Sequence, residues 1–288
     1  MLNIMVTPKD LIPSAEKATK AIVKYLKQQN EEYSVYFSRD IDEFTTNVRD
    51  LFSNGEYEYV IVGNDETLHS FINCFKDLAK IKFGIIPIGD KCDFAKFLKL
   101  ESHPVRAIQR IVERKIENVD YLQVNDKRVL NNVLIGASVE TEIAFAQYKI
   151  KNAISKRVAE INHGQKFNGI ELTLDIKNEK KISENFFELI IANGGLSDGK
   201  SVSPLSNMCD GLFNVNYSLA SNPKEKKDFT KELNSGKHVY NEGVAQLWTN
   251  NLKVTNSDKK IKALVDGVFT VFEDIVVTMV EAGLKIYM

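Results

Sequence analysis

Two short apolar runs, residues 59–62 and 83–88, each lead into a polar, glycine-containing turn and then into a helical pattern. Both runs are rich in β-branched and aromatic residues and lack polar alternation, which is typical of strands covered on both faces of a parallel sheet. Their turns therefore fall at one carboxyl edge of the sheet. Strand ends and helix amino termini meet at such an edge, and their backbone N–H groups attract anions. We expect the functional site there.

The alternation of strand and helix extends over residues 1–125. After the first central strand, Leu68, Phe71, Ile72, Phe75 and Leu78 share one helical face, which predicts a helix over residues 68–78. Residues 63–67 then form the turn that precedes this helix. Together these patterns predict an amino-terminal α/β domain at residues 1–125.

Beyond residue 120 the pattern changes to many short strands separated by turn residues. The turn signals are Asn125-Asp126, Asn168-Gly169, Asn178-Glu179, Asn193-Gly194-Gly195 and Asp210-Gly211. They predict a second, mainly antiparallel domain at residues 126–280. Within it, residues 143–161 keep an approximate helical phase and predict a helical insertion, and residues 224–233 predict a charged helix or loop. The apolar residues 281–288 could return to the first domain.

Composition excludes several classes of protein. The 39 acidic and 38 basic residues nearly cancel and no dense basic run occurs, so we expect no nucleic-acid partner. No apolar run is long enough to be a transmembrane segment, and we expect a cytoplasmic protein that contacts membranes only peripherally. The 3 cysteines lack C-x-x-C spacing and are interpreted as reduced thiols. A homodimer is left open.

Several motifs then occur in a fixed order. Gly63-Asn64-Asp65-Glu66-Thr67 lies where one family carries Gly-Gly-Asp-Gly-Thr, and residues 84–96 lie where it carries Gly-Ile-Ile-Pro-x-Gly-Thr-x-Asn-Asp-Phe-Ala-Arg. Shorter matches follow at residues 132–136, 193–195, 204–212 and 265–267. With these motifs the chain resembles the diacylglycerol kinase catalytic family, the bacterial lipid kinases that share a nucleotide fold with NAD kinases.

The resemblance implies a parallel α/β nucleotide-binding domain and a carboxy-terminal antiparallel β-sandwich, with ATP and a lipid hydroxyl meeting in the cleft. The implied function is ATP-dependent phosphoryl transfer to diacylglycerol or a related lipid at a membrane surface. Asp65 would organise Mg²⁺-ATP and the reacting hydroxyl, and Asp210 resembles a magnesium position. The implied nucleotide-binding residues are Gly63, Asn64, Glu66, Thr67, Gly89, Asp90 and Asp93.

The departures from the family pattern fall on this site. Glu66 and Asp90 replace a glycine and a threonine, which places two extra carboxylates where a triphosphate would lie. Val268 replaces the glutamate that would act as general base, and Asp266 is the nearest ionisable substitute. Residues 6–10 replace the Asn-Pro-x-Ser-Gly of the first turn.

Each of these residues also has a simpler interpretation. Asp65 could cap the helix that begins near Thr67, Asp93 could be an N-cap, and Asp210-Gly211 could be a plain hairpin turn. The alternative function is a catalytically impaired family member that binds a lipid, nucleotide or protein partner in the same cleft. An NAD-kinase-like activity matches the first glycine turn but not the second segment.

Overall fold

The computed structural model describes residues 1–8, 12–177, 179–257 and 260–288. The chain divides into two compact units: unit 1 comprises residues 1–121 and 281–288, and unit 2 comprises residues 122–280. Three residues used in the sequence predictions lie outside the described residues, namely Lys9 and Asp10 of the first turn and Asn178 of one hairpin.

Unit 1 alternates strands and helices. Its strands are β1 Leu2–Val6, β2 Tyr33–Phe37, β3 Glu58–Gly63 and β4 Lys82–Pro87. Its helices are α1 Ala15–Gln28, α2 Ile41–Ser53, α3 Asp65–Ile72, α4 Asp93–Phe97 and α5 Pro104–Val112. The strands pair in parallel in the order β2-β1-β3-β4, and residues 285–287 pair in parallel with β4. The sheet therefore directs the carboxyl ends of β1, β3 and β4 to one edge.

The side chains of alternate residues of β3 lie on opposite faces of this sheet. Val60 and Val62 pack with the apolar sides of α1 and α5, whereas Tyr59 packs against Phe71 of α3 at a ring-centroid distance of 5.2 Å. In β4, a Cβ on Gly84 would lie 2.5 Å from Ile111, so only glycine allows α5 to pack this closely. Because both faces are covered, the strands carry the continuous apolar runs seen in the sequence.

The prediction of one helix over residues 68–78 is wrong at its end, because α3 stops at Ile72. The Asn73 side chain donates to the His69 carbonyl oxygen at 2.9 Å, and the chain then turns. A side-chain bond of this kind competes with the backbone bonds that would continue the helix. Phe75 and Leu78 are nevertheless buried, each with 5 % of its surface exposed. The helical spacing of Phe75 and Leu78 therefore reflects their burial and not a continuation of α3.

Unit 2 is built mainly of strands. The strand β5, Ile116–Val124, leads into it. The remaining strands are β6 Lys127–Val129, β7 Asn132–Gly136, β8 Ile170–Ile176, β9 Lys180–Phe186, β10 Glu188–Ala192, β11 Leu196–Ser197, β12 Lys200–Ser201, β13 Phe213–Ser218, β14 Val244–Thr249, β15 Asn251–Thr255, β16 Ile261–Val265, β17 Val268–Phe272 and β18 Asp274–Tyr287. Its helices are α6 Ala137–Ala146, α7 Ala153–Ala159, the π-helix Glu160–Gly164, α8 Pro223–Ser235 and the 3-10 turn His238–Tyr240.

Two antiparallel sheets form the sandwich of unit 2. The first has the strand order β14-β13-β10-β7-β16-β17, and in the second β9, β8, β15 and residues 274–278 of β18 pair in that order. A buried apolar core packs between them, with Val133 and Leu189 from the first sheet and Leu174 and Val254 from the second. The predicted fold class, a parallel α/β domain and an antiparallel β-sandwich, is confirmed.

The helical insertion differs from the single segment predicted at residues 143–161. Helix α6 ends at Ala146, and α7 begins only at Ala153. Asn152 starts α7 with a capping box, since its Oδ1 accepts from Ser155 N at 2.9 Å and Ser155 Oγ accepts from Asn152 N at 3.0 Å. Residues 224–233 fall within α8, whose Phe229 and Leu233 pack on the outer face of the first sheet.

Candidate functional site

The turn after β3 is organised by Asn64. Its side chain caps α3, accepting from Thr67 N at 3.1 Å. The fully buried Thr67 hydroxyl lies 2.8 Å from the Thr7 hydroxyl and 3.0 Å from Asn64 Oδ1, which links this turn to the end of β1. A Cβ on Gly63 would lie 2.7 Å from Thr67 Oγ1, so glycine is required there by close approach.

The turn after β4 is held by a residue of the first turn. Cys92 occupies the N-cap position of α4 without a side-chain capping bond. Instead, the Asp65 carboxylate supplies the acceptor: its Oδ2 lies 2.8 Å from Asp93 N and 3.2 Å from Phe94 N. A carboxylate at a helix amino terminus is favoured by both the hydrogen bonds and the dipole. Asp65 therefore caps the neighbouring helix, while Asn64 caps α3.

Backbone hydrogen bonds join the same two turns in both directions. Asp65 N donates to the Lys91 carbonyl oxygen at 2.9 Å, and Ile88 N donates to the Gly63 carbonyl oxygen at 2.9 Å. Gly89 has φ +95°, a left-handed conformation that lets the chain reverse after β4. Together with the Asp65 side chain, these bonds make the two turns one rigid unit at the carboxyl edge of the sheet.

The second turn presents backbone donors. Within the part of the chain that the structure describes, the N–H groups of Gly89, Asp90 and Lys91 donate to no backbone or side-chain acceptor. Gly89, Asp90 and Lys91 are also exposed. Consecutive N–H groups in a turn of this kind form a concave site that suits phosphate oxygens.

The side chains around the two turns are mainly acidic. Glu66 and Asp90 are exposed, and Asp93 is 4 % exposed as the first residue of α4. Asp93 is therefore not the N-cap. Lys96 Nζ lies 4.0 Å from Asp93 Oδ1 and 2.8 Å from the Asp90 carbonyl oxygen. Among the described residues of the two turns, the carboxylates Asp65, Glu66, Asp90 and Asp93 outnumber the cations Lys91 and Lys96, so added positive charge favours an anionic ligand here.

Two residues of this site, Thr7 and Cys92, were given no role in the sequence analysis. Thr7 takes part through the contact with Thr67, and the Thr-Pro pair after β1 was its only signal. Cys92 lies beneath the second turn, with Sγ 3.5 Å from the Gly89 carbonyl oxygen. Burial, with a smaller contribution from the Asp65 charge, raises the pKa of the Cys92 thiol to about 12. Cys92 is therefore a packed thiol, held protonated at neutral pH.

Asp266 lies in unit 2, in the two-residue hairpin turn between β16 and β17. Asp266 and Gly267 have φ +46° and +79°, as the favoured Asp-Gly hairpin turn requires. The Asp266 carboxylate accepts from Leu130 N at 2.9 Å, Asn131 N at 2.7 Å and Asn132 N at 3.2 Å. These contacts give it a structural role that the sequence did not suggest.

Asp210 also lies in unit 2 and is exposed, with Oδ1 accepting from Leu212 N at 3.1 Å. Among the described residues, no group of three or more His, Cys, Asp or Glu side chains is placed to hold a metal ion. A magnesium ion at Asp210 would therefore depend on backbone carbonyls and water in addition to this carboxylate. No helix in the described ranges is long and apolar enough to cross a bilayer.

Residues 5–124 match the sequence model of the family described as the diacylglycerol kinase catalytic domain. A protein of Staphylococcus carnosus (strain TM300) named "Putative lipid kinase" is 25% identical over 272 residues, which cover 87% of this chain and 84% of that protein. The resemblance inferred from the motifs is confirmed.

Solved structures show the same fold. A diacylglycerol kinase from Bacillus anthracis str. Sterne superposes with a TM-score of 0.76 at 13% identity, covering 99% of this chain and 96% of that one. An NAD kinase from Archaeoglobus fulgidus in complex with ATP superposes with a TM-score of 0.56 at 12% identity, covering 100% of this chain and 94% of that one.

Proposed function

We propose that the protein is an ATP-dependent lipid kinase that phosphorylates the hydroxyl of diacylglycerol or a related lipid. The observation that carries the proposal is the pair of turns at the carboxyl edge of unit 1, joined by the Asp65 carboxylate. The match of residues 5–124 to the diacylglycerol kinase catalytic domain supports it, since both turns lie inside that range.

The backbone of the second turn suits the phosphates of a nucleotide. The N–H groups of residues 89–91 supply donors, and Gly89 lets the ligand approach the backbone closely. Mg²⁺ commonly binds through one or two carboxylates together with substrate phosphates. Asp65, Glu66 and Asp90 are the carboxylates of unit 1 that would hold such a Mg²⁺-ATP complex, and the metal would offset their repulsion of the triphosphate.

Phosphoryl transfer requires mainly that the lipid hydroxyl and the γ-phosphate be positioned and that the negative charge of the phosphates be neutralised. The lipid hydroxyl oxygen forms a bond to the γ-phosphorus, and the bond from that phosphorus to the bridging oxygen breaks. ADP leaves with the electron pair, and the hydroxyl proton passes to water. Because the transition state is loose, a general base is not the largest contribution. Val268 in place of the family glutamate would then lower the rate by roughly 10² to 10⁴ and would not abolish transfer.

The second candidate is a family member that binds lipid, nucleotide or a partner without turnover. The exposed carboxylates Glu66 and Asp90 favour it, as does the engagement of Asp266 with three backbone N–H groups. In this case Mg²⁺-ATP could still bind and raise the melting temperature, but no phosphorylated lipid would form.

The deciding experiment uses labelled ATP, the full chain, and mixed vesicles containing diacylglycerol, with Mg²⁺ or Mn²⁺. We expect labelled phospholipid from the wild type and at least a hundredfold less from Asp65→Asn. Asp40→Asn is the matched control, because Asp40 is an exposed helix cap in the same unit, accepting from Glu43 N at 2.8 Å.

The outcomes separate the two candidates. Product formation that is equal in the wild type and Asp65→Asn would contradict the role of Asp65. No product with any metal, together with a melting temperature that rises with Mg²⁺-ATP, would favour the non-catalytic candidate. The absence of both product and thermal shift would contradict nucleotide binding altogether.

A further inference from the structure

A cavity lies in unit 1 beside the second half of β4. Residues 285–287 pair with β4 only as far as Gly84, and the cavity lies beside the next residue, Ile85. It is open on one side and has a volume of about 190 Å³. An apolar protein cavity of about 150 Å³ already holds benzene. The cavity in unit 1 is therefore large enough for an organic ligand with a body of that size.

Apolar side chains form the floor of the cavity. Ile85, Ala107, Ile111 and Tyr287 line it, and each is at most 6 % exposed. Ala107 and Ile111 lie one turn apart on α5 and therefore on the same side of that helix. Together with Tyr287 they belong to the packed core of unit 1. The floor is thus formed by the fold itself and suits the apolar part of a ligand.

Two cations, Lys99 and Arg110, also line the cavity and are exposed. Neither forms an ion pair within the residues that the structure describes. Glu101 lines the cavity as well, but its Oε1 accepts from His103 N at 2.9 Å and its Oε2 lies 3.8 Å from Arg106. The open side of the cavity therefore has two cations available to an anionic group and one carboxylate that is already partnered.

Lys99 occupies a backbone position that favours glycine. It follows the C-cap of α4 with φ +56°. Leu100 N donates to the Ala95 carbonyl oxygen at 2.9 Å and Lys99 N to that of Lys96 at 3.1 Å, which together form a Schellman motif. A lysine in this left-handed conformation is less stable than a glycine. Ending the helix therefore does not account for the lysine, whereas its side chain supplies positive charge to the cavity.

We propose that this cavity binds a small organic carboxylate, with the apolar body of the ligand on the floor and its carboxylate between Lys99 and Arg110. A guanidinium group matches a carboxylate with two parallel hydrogen bonds. Inorganic phosphate is a poorer ligand, because it would leave the apolar floor uncovered. Among the described residues, none from the two turns at residues 63–67 and 89–93 lines this cavity. The inference goes beyond phosphoryl transfer and does not depend on it.

The test is an NMR titration of the full chain, labelled at isoleucine methyl groups, with hexanoate and without nucleotide. We expect saturable shifts at Ile85 and Ile111, with a dissociation constant of about 1 mM, and none at Ile135 in the core of unit 2. Butyrate should bind more weakly, by up to about fourfold for each methylene lost. Uncharged hexanamide should bind about twentyfold more weakly, since each exposed cation contributes about fivefold.

Two substitutions remove the cations without touching the core. Lys99→Gly and Arg110→Gln should each weaken hexanoate binding about fivefold. The melting temperature of Lys99→Gly should not fall, because glycine adopts φ +56° readily. Asn30→Gly is the matched backbone control, at φ +53° after α1, and Arg49→Gln is the matched charge control on an exposed position of α2. Neither control should change the dissociation constant by more than about twofold.

Three results would overturn the proposal. One is the absence of shifts at Ile85 and Ile111 at about twenty times the expected dissociation constant. Another is hexanoate binding that is as tight in Lys99→Gly and Arg110→Gln as in the wild type. The third is equal binding of hexanoate and either hexanamide or inorganic phosphate, which would show that charge or the apolar body is not recognised. Because the titration contains neither nucleotide nor lipid, its failure is distinct from failure of the kinase activity.

Discussion

Removing the Asp266 carboxylate separates a structural role from a catalytic one. In the structure this side chain accepts from the backbone N–H groups of Leu130, Asn131 and Asn132. All three residues are at most 4 % exposed. The substitution Asp266→Ala would therefore leave three backbone donors without the acceptor that they now share, in a region that water reaches poorly.

The size of the effect follows from these contacts. Each buried donor left without an acceptor costs about 1 to 3 kcal/mol, and relaxation brings the sum toward the lower end. Alanine at φ +46° adds about 1 kcal/mol of backbone strain. We expect Asp266→Ala to lower the free energy of unfolding of unit 2 by about 4 kcal/mol. Asp266→Asn should cost about half as much, because asparagine tolerates positive φ and retains one acceptor oxygen.

The assay is urea denaturation followed by tryptophan fluorescence. The chain has 1 tryptophan, Trp248, and it lies in β14 of unit 2, so the signal reports on the affected unit. Asp274→Ala is the control, since Asp274 is half-exposed and pairs with Lys253 at 3.1 Å on the surface. It should change stability by less than about 1 kcal/mol. A loss below about 1 kcal/mol in Asp266→Ala, accompanied by complete loss of phosphoryl transfer, would refute the structural role.

Three further predictions follow from the site and the core. Glu66→Gly with Asp90→Thr should tighten Mg²⁺-free ATP binding by roughly thirtyfold in calorimetry, because two exposed carboxylates each repel the triphosphate by an amount that solvent screens to about 1 kcal/mol. Unchanged affinity would show that ATP binds elsewhere. Burial raises the pKa of Glu188 from 4.5 to about 7. Because the pKa of Glu188 is higher in the folded state than in the unfolded state, the contribution of this residue to the free energy of unfolding is complete below about pH 4. This contribution falls by about 3 kcal/mol as the pH rises through 7. The urea concentration at the midpoint of unfolding should fall between pH 4 and pH 7 in the wild type, and Glu188→Gln should remove this pH dependence. Gly63→Ala should lower the melting temperature and disrupt the turn, because the new Cβ would meet Thr67 Oγ1 at 2.7 Å; a crystal structure with the contact between Thr7 and Thr67 unchanged would contradict this.

Much of the fold could be predicted from periodicity and motif order. The uninterrupted apolar runs of β3 and β4 indicated strands buried on both faces, and the change of pattern after residue 120 indicated an antiparallel domain. Those features depend on local burial, which the chain displays directly. The end of α3 could not be predicted, because Phe75 and Leu78 are buried by the turn after Ile72 and keep a helical spacing outside the helix.

At the site, residue types and turn positions predicted which chemical groups lie at the two strand ends. The pattern located the turns that contain Gly63, Asp65, Gly89 and Asp90, and the resemblance to the family implied their roles. The contacts of Asp65 and Asp266 became known only from the three-dimensional fold. Asp65 caps a helix that begins 28 residues later, and Asp266 binds backbone 134 to 136 residues away. Such hydrogen bonds join segments that meet only after the strands have paired, so neither spacing nor residue type can reveal them.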